Sequence, residues 1–412
     1  MARRVVFGLL SCLAAAGVAL LLYFFWDPVI AFYKTAKDIF NFLGVGLASL
    51  VAAVVSVYRR LRRRIPPKLP SPLAFRVGGW EPPVPFILAD GIDLNAPHKL
   101  GPGEIICREA TPSFSLPEEL AAHRTEIIEA YSKKTLCRLT DGRIVRLEEF
   151  SLLRTPDDEY PNWLLKFSPL SYYDFVCTNL ALTGSMRLTE LPRDALATLN
   201  CFRKKIENLP LDFQAVIADG RLGNGVTVHI NVIDADQNLL VGRRPPNLSI
   251  FPGRLVTSVT GAVAWTDRAA EDLPPDPFLA AVREAREETG ISLRRQDIRF
   301  FALGMQADQR HPLLLGEARI PGRLAELVRL SRDSWENERF YNLNLEELPL
   351  CASVLVWGDW LPASAVAVCL SLLSRHGYEK VEKALAGARK DLYRRWLEHG
   401  RTRRRERGML LG

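Results

Sequence analysis

Nine residues, Arg283-Glu284-Ala285-Arg286-Glu287-Glu288-Thr289-Gly290-Ile291, constrain this chain more than any other stretch. The glutamates stand at i, i+3 and i+4, positions that share one face of an α-helix. Three like charges on one face repel one another and cost stability unless a cation neutralises them. A set of oxygen donors at that density suits a hard divalent ion, Mg²⁺ or Mn²⁺. Gly290 supplies the helix stop, because glycine enters the left-handed cap conformation without a Cβ penalty. A second reading is open at this level: Arg283, Arg286 and the glutamates as ordinary surface pairs worth ~0.2–0.5 kcal/mol each.

The flanks of this segment read as strands. Val226 to Val232 alternates apolar and polar residues, the pattern of a half-buried strand. Its polar side carries His229, read as a hydrogen-bonded surface residue without a site role. Asp234 to Asn238 is turn material. Leu239 to Arg244 is a second short strand, so the two form a hairpin that Pro245, Pro246 and Asn247 end. Leu255 to Val263 returns to β-branched residues, with Gly261 near its end. Ile298–Met305 and Leu313–Ile320 follow as strands around a polar turn containing Gln306, Asp308, Gln309, Arg310 and His311. Strands on both sides of one acidic helix predict an α/β/α sandwich with a mixed sheet. Gly322 to Ser331 reads as a further helix.

The nine residues match the second half of the Nudix box, G-x5-E-x7-R-E-U-x-E-E-x-G-U with U aliphatic, and here the chain resembles the Nudix hydrolase family. Arg283, Glu284, Ala285, Glu287, Glu288, Gly290 and Ile291 fall on its constrained positions. The first half departs from the pattern. Gly261 stands at the opening glycine, but Asp267 occupies the acidic position, and fifteen residues separate it from Arg283 instead of seven. The surplus, with Glu271, Asp272, Pro274, Pro275, Asp276 and Pro277, reads as an inserted loop. Glu271 is the alternative for the first acidic position.

The resemblance implies a metal-dependent hydrolysis of a nucleoside diphosphate linked to a moiety X, releasing a nucleoside monophosphate and a phosphorylated X. It places Mg²⁺ or Mn²⁺ on Glu284, Glu287 and Glu288, with Arg283 pairing a glutamate and fixing its rotamer. Which carboxylate serves as the base is left open. Arg243 and Arg244 stand where the family carries an arginine near substrate; the other reading is two exposed strand-end cations. Glu336 and Glu338 are candidates for an additional acid, against a solvated loop. Ser171-Tyr172-Tyr173-Asp174-Phe175 with Thr178-Asn179 is similar to a segment upstream of the core in Nudix proteins that hydrolyse UDP-sugars, which points toward a sugar nucleotide; the other reading is an accessory region that only packs against the core.

Residues 1–70 are a different material. Val5 to Trp26 and Ile39 to Tyr58 are apolar runs of about the twenty residues a membrane helix needs. A cleaved signal peptide is the competing reading of the first run, weakened by its length, its bulky aromatic end and the second run. Arg3 and Arg4 flank the start, and Arg59, Arg60, Arg62, Arg63 and Arg64 flank the exit. The positive-inside rule then predicts a two-helix membrane anchor with both chain ends cytoplasmic. Pro66, Pro67, Pro70 and Pro72 form a stiff spacer. Gly44-x-x-x-Ala48 has the small-residue spacing that packs membrane helices, compatible with a homodimer.

The formal net charge is +7, much of it at this exit and in Arg401, Arg403, Arg404, Arg405 and Arg407, which favours anionic membrane lipids as partners. No nucleic acid is expected, since no aromatic interleaving or binding motif accompanies the charge. The seven cysteines are dispersed without C-x-x-C or Cys/His metal spacing, as in a reducing compartment.

Four parts follow: an anchor over 1–70, an accessory α+β region over 71–215, a Nudix-like domain over 216–350, and C-terminal helices with a basic tail over 351–412. In the accessory region Glu118–Ser132 reads helical and Thr135–Leu147 reads as a hairpin around Asp141-Gly142. Pro362–Gly377 and Tyr378–Glu398 read as two helices. A competing function of another class is a membrane-tethered sensor that binds a nucleotide derivative without cleaving it.

Overall fold

The computed structural model describes residues 74–111, 114–134, 140–154, 160–183, 191–246, 252–327, 337 and 339–399. All belong to one unit, Leu69–Gly412, and its fold is mixed α/β. The strands are β1 (Phe86–Leu88), β2 (Ile105–Glu109), β3 (Arg143–Leu153), β4 (Asn162–Ser171), β5 (Thr227–Ile233), β6 (Asn238–Arg243), β7 (Leu255–Val256), β8 (Val259–Ala262), β9 (Ile298–Gln306), β10 (Pro312–Arg319) and β11 (Arg339–Asn344). The helices are α1 (Glu118–Ala121), α2 (Arg124–Lys134), α3 (Tyr172–Cys177), α4 (Arg193–Glu207), α5 (Phe213–Ile217), α6 (Pro277–Thr289), α7 (Leu324–Leu327), α8 (Leu348–Trp357), α9 (Pro362–His376), α10 (Tyr378–Ala386) and α11 (Lys390–His399).

The main sheet runs β1-β9-β10-β5-β6-β11, with β8 added on β5 and β7 on β6. β5 and β10 are parallel, from Leu313 beside Thr227 to Arg319 beside Ile233. The other pairings are antiparallel. The expected hairpin forms through Asp234, whose Oδ1 accepts the Asn238 N–H at 2.8 Å, and Gln237, which takes a φ of 63°. β5 and β6 meet at Ile233 and Leu239 and then separate. β5 takes β8 as its partner, and β6 takes β7. A smaller three-stranded sheet runs β2-β4-β3.

Strand side chains alternate between the two faces, and each face finds its own cover. Val228, Ile230 and Val232 join Phe278, Ala281 and Ala285 of α6 in one apolar cluster, which the accessory elements extend. Ile233, Val241, Leu313 and Leu315 join residues of α8 through α11 in a second. The alternation in β5 therefore does not mark a half-buried strand. Its polar residues are buried too: His229 is 5 % and Asn231 0 % exposed. Helix α9 lies over them and offers partners. Ser364 Oγ is 3.4 Å from His229 Nδ1, and Asn231 Nδ2 donates to Ala367 O at 2.9 Å and Ser371 Oγ at 3.0 Å. The reading of His229 as a surface residue is corrected accordingly.

Elsewhere the segmentation differs in detail. Glu118–Ser132 breaks at Ala122 and His123 into α1 and α2. β3 pairs with β4, from Arg143 beside Ser171 to Leu153 beside Asn162; the first arm of the hairpin expected around Asp141-Gly142, residues 135–139, lies outside the described residues. Tyr378–Glu398 is two helices, interrupted at Gly387. Of Gly322–Ser331, α7 covers Leu324–Leu327 and residues 328–331 lie outside the described residues.

The expected cell-membrane location with two spanning helices is also corrected. Among the described residues no helix is long and apolar enough to cross a membrane. The longest, α4 and α9, have 15 residues each, a rise of about 22 Å against a hydrocarbon core of ~30 Å. The apolar side chains of α9 are consumed inside the second cluster. The runs at 5–26 and 39–58, Gly44 and Ala48, the basic exit 59–64 and the tail 401–407 lie outside the described residues. So do Cys12 and Cys137; Cys107, Cys177, Cys201, Cys351 and Cys369 are free thiols.

Candidate active site

Helix α6 is fixed at both ends by its own sequence. Asp276 caps the start, its Oδ1 accepting the Phe278 N–H at 2.8 Å, and Pro277 occupies the first turn, where no N–H is needed. Gly290 ends it in the left-handed conformation at φ 70°, as expected. Phe278, Ala281 and Ala285 face the sheet. The small alanines let the helix approach β8, and this brings Glu284 and Glu288 onto that strand.

Two consecutive strand residues receive them. A Cβ at Gly261 would fall on the Glu284 carboxylate, so any larger residue there would push that side chain out of this position. Thr260 holds Glu288: its N–H donates to Oε2 at 3.0 Å and its hydroxyl to Oε1 at 3.3 Å. Glu288 is 6 % exposed, and buried carboxylate oxygens require donors of this kind.

Arg283 ties the rest together. Its Nη1 donates to Glu284 Oε1 at 2.7 Å and Glu287 Oε2 at 3.0 Å. Its Nε and Nη2 grip both oxygens of Asp267 at 2.8 and 2.9 Å, and Nη2 also reaches Ala262 O at 2.9 Å. Burial disfavours the Arg283 charge, but the Asp267 and Glu284 carboxylates outweigh it and raise its pKa. The bidentate contact identifies Asp267, not Glu271, as the first acidic partner of the helix; Glu271 is exposed. The expected insertion is a loop whose ends are joined by the Asp276 N–H donating to Asp267 O at 2.6 Å. Asp267 and α6 therefore keep their relation whatever the loop length between them.

The three glutamates do not converge on one point here. Among the described residues no group of three or more His, Cys, Asp or Glu is gathered closely enough to hold a metal ion. Glu284 and Glu287 share Arg283, and Glu288 faces Thr260. The donor chemistry nonetheless fits a hard divalent cation. It consists of carboxylates on one helix face, with one of them cradled where any Cβ would intrude.

Arg243 is the last residue of β6 and Arg244 follows it. Arg243 acts electrostatically on the Tyr393 hydroxyl of α11, and Arg244 on the buried His229. Glu336 and Glu338 lie outside the described residues. Thr178 and Asn179 form a buried joint. Asn179 Nδ2 donates to Gln309 O and Arg310 O at 3.2 and 2.9 Å, while its Oδ1 accepts the Asn224 N–H at 2.8 Å. Thr178 Oγ1 accepts the Gly223 N–H at 3.1 Å. Sequence reasoning missed Thr260, whose only signal was its place before Gly261 on a β-branched strand.

No family model matches this chain, and no curated protein matches it. Among solved structures it is similar to DR0079 from Deinococcus radiodurans, at 22 % identity over 35 % of this chain and 80 % of that one, TM-score 0.27. The MutT protein from Methanosarcina mazei Go1 matches at 18 % identity over 37 % of this chain and 93 % of that one, TM-score 0.26. A NUDIX hydrolase from Alicyclobacillus acidocaldarius matches at 15 % identity over 39 % and 95 %, TM-score 0.28. Likeness at this level assigns no activity, and the reading that follows rests on this chain's own residues.

Proposed function

We propose that the chain hydrolyses the diphosphate linkage of a nucleoside diphosphate joined to a moiety X, with Mg²⁺ or Mn²⁺ held by Glu284, Glu287 and Glu288 of a core spanning about 216–350. The observation that carries this is the seating of the acidic face of α6 on β8, where Gly261 leaves room for Glu284 and Arg283 bridges Glu284, Glu287 and Asp267. A diphosphate ester repels an incoming water by its negative charge. A bound divalent ion supplies charge neutralisation and an acidified water. The chain's own part is to present the carboxylates and hold them. Arg283 orients Glu284 and Glu287 from below and is itself fixed by Asp267, an outer support of the kind that tunes donor geometry. A carboxylate accepts the proton of the attacking water. Arg243 or Arg244 contacts a substrate phosphate in this reading, and nucleotide sugars belong in the panel of candidate substrates.

The test is release of nucleoside monophosphate from a panel of nucleoside diphosphate derivatives by the full-length protein, with and without Mg²⁺. Metal-dependent release from at least one member supports the reading. A second reading has one observation in its favour, the lack of convergence of the three glutamates: a module that binds a nucleotide derivative without cleaving it. It predicts saturable ligand binding with no product from any panel member.

A further inference from the structure

We propose that Thr260 is a positioning residue for the carboxylate cluster, holding Glu288 against β8 on the acidic face of α6 to which the functional reading assigns the cation. This rests on the functional reading above. Glu284 and Glu288 lie one turn apart on α6, and the neighbouring residues Gly261 and Thr260 of β8 receive them in turn. β8 is paired on one side, to β5, with Thr260 opposite His229. Its outer edge therefore has a backbone N–H to give, and Thr260 gives it to Glu288 Oε2 at 3.0 Å. The hydroxyl reaches the second oxygen at 3.3 Å, so Thr260 contacts both oxygens of the buried carboxylate. Glu287, at 53 % side-chain exposure, takes its hold from Arg283 instead. Valine at 260 would keep the backbone donor, the branched shape and the strand preference, and would remove the hydroxyl alone.

Full-length wild type, T260V, T260A, T260S and E288Q are compared. Mn²⁺ binding is read from the electron paramagnetic resonance signal of free Mn²⁺. Thermal melting is recorded, and kcat and KM are measured on whichever panel compound is cleaved. T260V raises the Mn²⁺ Kd about tenfold and lowers kcat more than it changes KM. T260S restores both to within about twofold, and the melting temperatures stay together. T260A repeats the loss of affinity, which keeps the proposal testable if valine misfolds. Wild-type Mn²⁺ affinity in both T260V and T260A overturns the positioning role. Tighter affinity overturns it as well, by showing that the hydroxyl competes with the cation. If E288Q binds Mn²⁺ as wild type does, the functional reading itself fails, whatever residue 260 does.

Discussion

Every donor edge of the Arg283 guanidinium is engaged, and Asp267 takes two of them. Asp267 is 6 % exposed at its side chain and Arg283 32 %, so losing the carboxylate weakens a mostly buried bidentate contact and the bond from the Ala264 N–H at 2.7 Å. D267N is expected to lower stability by about 2–4 kcal/mol, whereas E271Q stays within about 0.5 kcal/mol. Urea denaturation of the two variants checks this, and a larger loss in E271Q would reverse the assignment of the first acidic position. On the helix itself, E287Q and E288Q are each expected to reduce turnover at least about a hundredfold. They should differ in stability. The Glu287 side chain is half exposed and its loss leaves the melting temperature nearly unchanged, while Glu288 is buried against Thr260. Equal turnover in wild type and either variant would remove that glutamate from the site.

Among the elements, the C-terminal half of α6 was the most legible because its signals are local: acidic residues at helical spacing and Gly290 to stop it, whereas Asp276 and Pro277, read as loop, prove to be its cap and first turn. The strands beside it were legible from their β-branched runs. What covers them was not. The alternation of β5 is the same whether water or a helix lies on the polar side, and only the return of α9 decides it. Helix α8 carries Leu348-Pro349-Leu350-Cys351-Ala352-Ser353-Val354-Leu355, apolar nearly all round, and offers no periodicity to read. Asn179 was noticed for a resemblance. Its role is a long-range one that no local pattern encodes, joining α3 to the β9–β10 turn and to Asn224, whose own φ is 46°. N179A would strand a buried N–H and two carbonyls, and is expected to cost about 2–4 kcal/mol. A denaturation midpoint equal to wild type would show that the joint does not bear on stability.

Across the whole molecule, two histidines are enclosed by elements far apart in sequence. Burial pushes His229 down to about 3, helped by His311 and Arg244, and burial alone pushes His311 to about 3. The unfolded chain takes up protons at these histidines near pH 6.5, while the folded chain does so only near 3. Stability is therefore complete above pH 6.5 and falls as pH drops toward 3, by up to ~1.4 kcal/mol per pH unit for each histidine. The urea midpoint is expected to be lower at pH 5 than at pH 7, with a weaker dependence in a His229→Gln/His311→Gln protein. A midpoint indifferent to pH over that interval would contradict the enclosure.

The same scale holds the central claim, that an acidic helix seated on a strand binds a divalent cation to open a diphosphate. Calorimetric titration of Mn²⁺ into the full-length protein and into Glu284→Gln/Glu287→Gln/Glu288→Gln tests it most directly. Saturable heat in the wild type that vanishes in the triple variant is the predicted result; no heat in the wild type, or equal heat in both, contradicts it.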